Sequence, residues 1–476
     1  MLNNNMLKRI LIFLFVLISG HSYSQKAWTL EQCIEYAFQN NPQIKQSENN
    51  LKISNQNLLQ NKASTLPTIN GTATNNYNYG RNIDPFTNQY TNSAVQSNNF
   101  SLNGSLNLFN GFQTRNSIKQ SRYDYMASSY DLAFLKNDVS LNISAAYLEV
   151  LFDVELLNTD KNQLKTTNQQ YERTQRLVEA GTIAQSALYD IKAQQAQEEA
   201  QVVQSENKLQ ISLINLKQLM YLPNNDPFEI VKPEMIVISD TMAIQNVDET
   251  VGMALNSQPQ IKSSEFRKLS SVQALVVARG RQSPRLSLNG SLSTLYSSSS
   301  KRIAGVQFNG FQTVGYTQTT NDPVLNPTYQ TVLENKPFGS QMSDNLNKFF
   351  GFTLNVPILN GYQVRTAINR AKLTAENTEY DLQIAKLTLE NNIRKAHADA
   401  VAAMSNYYSF INAVKASEEA FRNTQKRFDL GLMNSLEYDQ SKTRLTNVQS
   451  ELLRAKYDYL FKTKVLDFYR GIPLKL

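Results

Sequence analysis

Residues 108–132 read LFNGFQTRNSIKQSRYDYMASSYDL, and residues 358–382 read ILNGYQVRTAINRAKLTAENTEYDL. In each, an alternating stretch ends at an Asn-Gly pair, Asn110-Gly111 or Asn360-Gly361, and a stretch free of glycine and proline begins. Both of these stretches run 70 residues, to Gly181 and to Gly431, and each is followed by a second of 42 residues, to Pro223 and to Pro473. As α-helices they would measure roughly 105 and 60 Å at about 1.5 Å per residue. Such lengths imply coiled-coil or tube packing.

The correspondence continues outward in order. Asn41-Pro42-Gln43-Ile44-Lys45 returns as Gln258-Pro259-Gln260-Ile261-Lys262, and Pro67 returns as Pro284. Thr174-Gln175-Arg176 returns as Thr424-Gln425-Lys426. The offset changes from 217 to 250 residues between Pro67 and Asn110, so the second copy carries a longer connection there. An ordered set of this kind is an internal tandem repeat. It gives a leader at 1–24 and a first copy at 25–223, with a helix, strands 66–80 and 98–110, a long helix 112–180 and a helix 183–222. A linker at 224–247 precedes the second copy at 248–476, with a helix, strands 284–297 and 347–360, a long helix 362–430 and a helix 433–470.

Within the long stretches, Leu132, Leu135, Val139, Asn142 and Ala146 fall at 3-4-3-4 spacing, as do Leu382, Ala385, Leu389, Asn392 and Ala396. That seam is narrower than the stripe of a helix lying on a globular core. It suits either a coiled coil or the wall of a hollow barrel.

The strands have a different period. Phe100, Leu102, Gly104, Leu106 and Leu108 alternate with small polar residues, and so do Phe350, Phe352, Leu354, Val356 and Ile358. About ten alternating residues is the length of a tilted membrane-spanning strand. Tyr77, Tyr79 and Tyr296 fit an interfacial girdle. A small soluble sandwich is the competing reading. The connections Arg81–Gln96 and Ser297–Asn345 read as polar loops, with Phe308-Asn309-Gly310 imitating the strand-to-helix junction inside the second. Four strands cannot close a transmembrane barrel, so copies of the chain must share one.

The N-terminus has the signature of a secretory leader: Lys8 and Arg9, the apolar run Ile10 to Ile18, then Ser22-Tyr23-Ser24, with cleavage near Ser24–Gln25. A membrane anchor is the alternative. Beyond it no run approaches the roughly 20 apolar residues of a membrane helix. The only cysteine, Cys33, follows a capping pattern at Thr29–Gln32, which argues against a lipid anchor and excludes an intrachain disulfide. The net charge of +7 comes from basic residues scattered among acids, without the clusters that nucleic acid requires. His397 is the only histidine past the leader, so a Cys/His metal site lacks its residues, a Ser-His-Asp triad would have to use His397, and no phosphate loop is present. The expectation is a non-enzyme without cofactor or metal.

Over the whole mature chain the ordered set resembles the TolC-type outer-membrane efflux proteins. Its carriers are the repeat, the Asn-Pro-Gln-Ile helix start, the Asn-Gly junctions, and the tips Arg176 to Thr182 and Arg427 to Leu432. The resemblance implies an α+β membrane protein. It would be a homotrimer whose 12-stranded transmembrane β-barrel, four strands per chain, continues as a long α-helical coiled-coil barrel in the periplasm of a Gram-negative bacterium. It implies a passive exit duct of an efflux or type I secretion system, served by a periplasmic adaptor and an inner-membrane pump or ABC exporter. Gly181, Thr182, Gly431 and Leu432 match the adaptor-contacting tips. Glu437 matches one acid of the family's periplasmic gate; the next falls at Gln440, leaving Asp439 and Asp190 as substitutes. A non-transporting structural protein or surface receptor remains the alternative.

Overall fold

Apolar groups at every second position lie on one side of an extended backbone, and the chain builds a sheet from them. The computed structural model describes residues 27–83, 88–92, 94–223, 228–232, 246–472 and 474. The leader expected at 1–24 and most of the linker expected at 224–247 lie outside the described residues. The chain divides into two units, one formed by residues up to 55 with 123–269 and 376–476, the other by 56–122 with 270–375.

The second unit holds the sheet. β1 (Thr68–Asn78), β4 (Val95–Phe109), β5 (Arg285–Ser297) and β8 (Asn347–Asn355) lie in the order β1-β4-β5-β8, every pair antiparallel. Cross-strand partners share a face. The rows Leu106–Leu288–Phe352 and Phe109–Leu286–Leu354 therefore make one face apolar, while Thr72–Ser101–Ser293 and Asn70–Asn103–Ser291 make the other polar. β1 is exposed along its whole length and β8 nearly so, and among the described residues neither has a partner on its outer edge. β8 ends at Asn355, short of the expected strand end at 360, because Pro357 has no N–H to offer a ladder.

The connection Ser297–Asn345, expected as a polar loop, is structured. β6 (Lys301–Tyr316) and β7 (Pro323–Asn335) form a separate two-stranded antiparallel sheet, followed by the short helix α7 (Phe338–Asp344). Phe308-Asn309-Gly310 is not a junction: it sits at a bulge between Phe308 and Phe311, which Gly310 accommodates at φ +104°. In the other connection, β2 (Asn82–Ile83) pairs with β3 (Tyr90–Thr91).

Helices α1 (Leu30–Asn40) and α2 (Pro42–Ala63) have 11 and 22 residues, as do α5 (Val247–Ser257) and α6 (Pro259–Gly280). The long helices α3 (Gln113–Glu179) and α8 (Gln363–Asp429) have 67 each; α4 (Gln185–Met220) has 36 and α9 (Ser435–Tyr469) has 35. The predicted cap of α1 is present: Gln32 N–H donates to Thr29 Oγ1 (3.3 Å) and Thr29 N–H to Gln32 Oε1 (3.2 Å). No helix among the described residues is long and apolar enough to cross a membrane.

In the first unit, α2 joins α3 through Glu48–Lys136 (3.4 Å). α6 joins α3 through Asp131–Arg267 (2.6 Å) and the stacked rings of Tyr130 and Phe266 (5.6 Å), and joins α8 through Lys268–Glu379. In the second unit Asn61 meets Ser121 (2.6 Å) and Gln273 meets Asn116 (2.9 Å), again α2 on α3 and α6 on α3. The helical neighbours thus run α2-α3-α6-α8, the order of the strands they adjoin in sequence. The largest core cluster of the first unit gathers Leu30, Cys33, Ile44, Tyr147 and Leu216. The Tyr147 hydroxyl donates to the Trp28 and Val231 carbonyls (3.1 and 2.7 Å), and Trp28 N–H donates to Glu229 O (2.8 Å). Burial pushes the Cys33 thiol up to about 12, leaving it a small inert core residue.

Candidate functional site at the helical-hairpin tips

Each long helix ends in the same stop signal. A residue at positive φ lets the chain reverse while the orphan carbonyls of the last turn find donors. Gly181 (φ +74°) donates to Val178 O (2.9 Å) and Thr182 N–H to Leu177 O (3.0 Å). Gly431 (φ +72°) donates to Phe428 O (3.0 Å) and Leu432 N–H to Arg427 O (2.9 Å). Both tips are exposed. They fold α3 against α4 and α8 against α9 as two antiparallel hairpins.

The helices that follow start differently. Ala184 precedes α4 without a side-chain cap. Asn434 caps α9, accepting from Glu437 N–H (2.9 Å) and donating to Glu437 Oε1 (3.3 Å). The carboxylate of Glu437 is thus exposed and engaged in its own helix start. Asp439, two residues on, is half-buried and faces Lys442 of its own helix and Glu198 and Asp190 of α4. Burial pushes its carboxyl up to about 6; Lys442 opposes the rise, and the two acids add to it. Asp190 is exposed. The structure therefore brings Asp439 and Asp190 together and gives Glu437 a capping partner.

The residue at the centre of this cluster is one that sequence reasoning passed over. Lys442 is 5% exposed. Its Nζ donates to Thr167 Oγ1 of α3 (2.5 Å) and lies 3.6 Å from Glu198 Oε1. Glu198, 7% exposed, also accepts from Thr167 Oγ1 (2.5 Å), Gln163 Nε2 (3.1 Å) and Gln194 Nε2 (2.8 Å). Burial lowers the Lys442 ammonium, against the raising influence of Glu198 and Asp439. Three helices thus converge on one buried ion pair bridged by the Thr167 hydroxyl. Beside it Arg173 pairs with Asp429 (2.8 Å) across α3 and α8, and Tyr438 stacks on Phe428 (4.6 Å).

The Lys442 cluster is one rung of a ladder. Down α3, Asp153, Asp160 and Thr167 are buried at seven-residue intervals, and Ser212, Ser205 and Glu198 answer them on α4. Ser212 donates to Asp153 and Ser205 to Asp160. The apolar seam Val139–Ala146, legible in the sequence, continues in phase into these polar rungs. The seven-residue interval was therefore the available signal.

At the strand-to-helix junctions of the second unit, Asn110 Oδ1 accepts from Thr114 N–H (3.3 Å), and Gly111 (φ +65°) is followed by Phe112 at φ +59°. A Cβ on Gly111 would lie 2.4 Å from Gly280 O, so the end of α6 closes over this junction. Gly361 (φ +56°) follows Asn360 and precedes Tyr362 in the same geometry, but a Cβ there would meet nothing within 4 Å. Ile358 and Leu359 beside it are 93% and 91% exposed.

The Outer membrane efflux protein family matches residues 33–220 and 250–469 of this chain. The outer membrane protein TolC of Escherichia coli is 21% identical over 466 residues, covering 96% of this chain and 84% of its own length. The alkaline protease secretion protein AprF of Pseudomonas aeruginosa is 26% identical over 122 residues, 26% of this chain and 25% of its own. In fold the chain is similar to the Campylobacter jejuni CmeC outer membrane channel, with a TM-score of 0.69 at 18% identity over 93% of this chain and 86% of that one. The chain belongs to the outer membrane efflux protein family and acts as an outer-membrane exit duct for efflux or secretion.

Proposed function

We propose that three copies of this chain close into one duct, a 12-stranded barrel in the outer membrane continued by a helical tunnel, with the two halves of each chain acting as copies of one unit. The observation that carries this is the shared order β1-β4-β5-β8 and α2-α3-α6-α8, each with open ends. Joining β8 of one copy to β1 of the next continues the antiparallel alternation and removes edges that lipid cannot satisfy. The same step brings α2 of one copy beside α8 of the next. It also covers Gly361 as Gly280 covers Gly111. The apolar sheet face then meets lipid and the polar face lines the lumen.

Substrate passes without chemistry by this chain. The tips at Gly181-Thr182 and Gly431-Leu432 meet a periplasmic adaptor, which couples the duct to an inner-membrane pump or ABC exporter. The names of the relatives include both efflux and protease secretion, and cargo selection belongs to the pump. Around a three-fold axis Glu437, Asp439 and Asp190 become rings of carboxylate at the periplasmic end, which favour cations. Planar-bilayer recording of the purified oligomer tests the reading: pores with cation preference are expected, and a pore-free oligomer would leave only a structural role. Glu437→Ala with Asp439→Ala should lower the cation preference, and an unchanged preference removes these acids from the gate.

A further inference from the structure

The hairpin β6–β7 is an arm that the four-stranded sheet does not need. Its root is fixed. Gln341, 1% exposed, accepts from Ser297 N–H (2.9 Å) and donates to the Ser297 and Lys336 carbonyls (3.0 and 2.9 Å). Ser298 N–H donates to Gln96 O (2.9 Å), and the Phe338 ring packs against Tyr296 (5.2 Å). The arm therefore leaves the end of β5 remote from α6 in a direction set by the sheet.

Its two faces differ sharply. The register pairs Ile303 with Leu333, Phe308 with Tyr329 and Phe311 with Pro327 on one face, and Gln307 with Gln330 and Gln312 with Asn326 on the other. The five large side chains among the first six are 52–69% exposed. Two strands with an uncovered apolar face are marginal in water, so this face needs a cover. Between Ile303 and Leu333 the only charged residue is Asp322, in the turn. The cations are confined to the root, where Arg302 pairs with Glu334 and Lys336 with Asp344 (2.7 Å).

That emptiness of charge selects the occupant. An anionic membrane surface calls for a basic fringe, and a charged protein partner calls for opposite charges. Arms of symmetry-related copies that converge on their rotation axis set each residue near its own equivalents, where any ion meets like charge, so an uncharged apolar face suits them. We infer that the β6–β7 arms of neighbouring copies pack on one another by their Ile303–Phe308–Phe311 faces, forming a collar at the outer mouth of the duct. This rests on ring closure through β1 and β8, and the test separates the two.

Full-length protein carrying Phe308→Cys, in outer-membrane fragments, is treated with a flexible bis-maleimide. Cys33 stays silent because it is buried and its thiol is held protonated. Val306→Cys serves as the second apolar-face position, Gln307→Cys as the opposite face, and Ile69→Cys with Phe350→Cys reports on the β1–β8 edges. Expected are linked dimers from each apolar-face position, with loss of most of the monomer band, and no such loss from Gln307→Cys. Linked edges with unlinked apolar-face positions would overturn the collar and leave the ring standing. If the edges fail too, both readings fall. A photo-reactive residue at 308 that labels lipid or another protein, and no copy of this chain, also overturns the collar.

Discussion

The two helical hairpins have nearly the same lengths and the same glycine turns, yet their interiors differ. In α3–α4 the seam carries Asp153, Asp160 and Glu198, each hydrogen-bonded across to the facing helix. In α8–α9 the positions equivalent by the 250-residue offset include Ala403 and Ala455, both buried, and the tip is closed by Phe421, Phe428 and Tyr438. Apolar packing tolerates sliding, because dispersion is non-directional. Hydrogen-bonded rungs tolerate little, because a rung out of register leaves a buried carboxylate unpaired. The first hairpin is therefore held in register by chemistry, the second by shape, and Lys442 is the point where the second supplies the charge that the first needs.

The largest test of this contrast is Lys442→Met. It strands Glu198 among Thr167, Gln163 and Gln194, and should cost about 3–5 kcal/mol, the penalty for breaking a buried pair. The urea midpoint of the purified protein reads it. Adding Glu198→Gln should restore most of the loss; if the double variant is no better than the single, the pair is not the lock. Gly181→Ala and Gly431→Ala come next. Both turns open into free space, so each should lose only the left-handed backbone penalty of about 1–2 kcal/mol, and unequal losses would show that the tips are not equivalent. Smaller again is the cap. Asn434→Ala should cost about 1 kcal/mol, and Ala184→Asn should gain somewhat less, narrowing the difference between the hairpins. Hydrogen exchange in the first turns of α9 and α4 follows both.

The smallest effect is confined to pH. Burial pushes the Asp439 carboxyl in the folded protein up to about 6 from its ordinary value of 3.8. The folded state therefore holds this proton to higher pH than the unfolded chain does. Its contribution is full below 3.8 and is lost as pH rises through about 6. Corrected for the intrinsic pH dependence of amide exchange, protection at the tips should fall between about pH 4 and 6, and Asp439→Asn should flatten that change. A profile unaltered by the substitution would assign the slope to another group.

Much of this was legible in the sequence because punctuation is local. Gly181, Gly431, Pro42 and Pro259 act on their own backbone, so they mark turns and helix starts without knowledge of the fold. The alternation at Phe100–Leu108 and Phe350–Leu354 is likewise a property of neighbours. Lys442 was not legible, since nothing near it in the chain says that Thr167, 275 residues away, will accept its hydrogen bond. Glu437 carries a second, local meaning: an acid at the third position after Asn434 is a capping partner, alongside the gate position that the family resemblance implies. The β6–β7 arm was hidden by its glycines and prolines, which in an edge-rich hairpin mark bulges rather than a loop.

The ladder of polar rungs also bears on how such a chain is made. A helix of 67 residues with a continuous apolar stripe would be a hazard while unpartnered, prone to lodge in a translocation pore or to stick to its neighbours. Asp153, Asp160 and Thr167 interrupt that stripe at each second turn. Before the hairpin shuts, they keep the emerging segment wettable; once it shuts, they become its fastening. One set of side chains thus serves transit and then assembly.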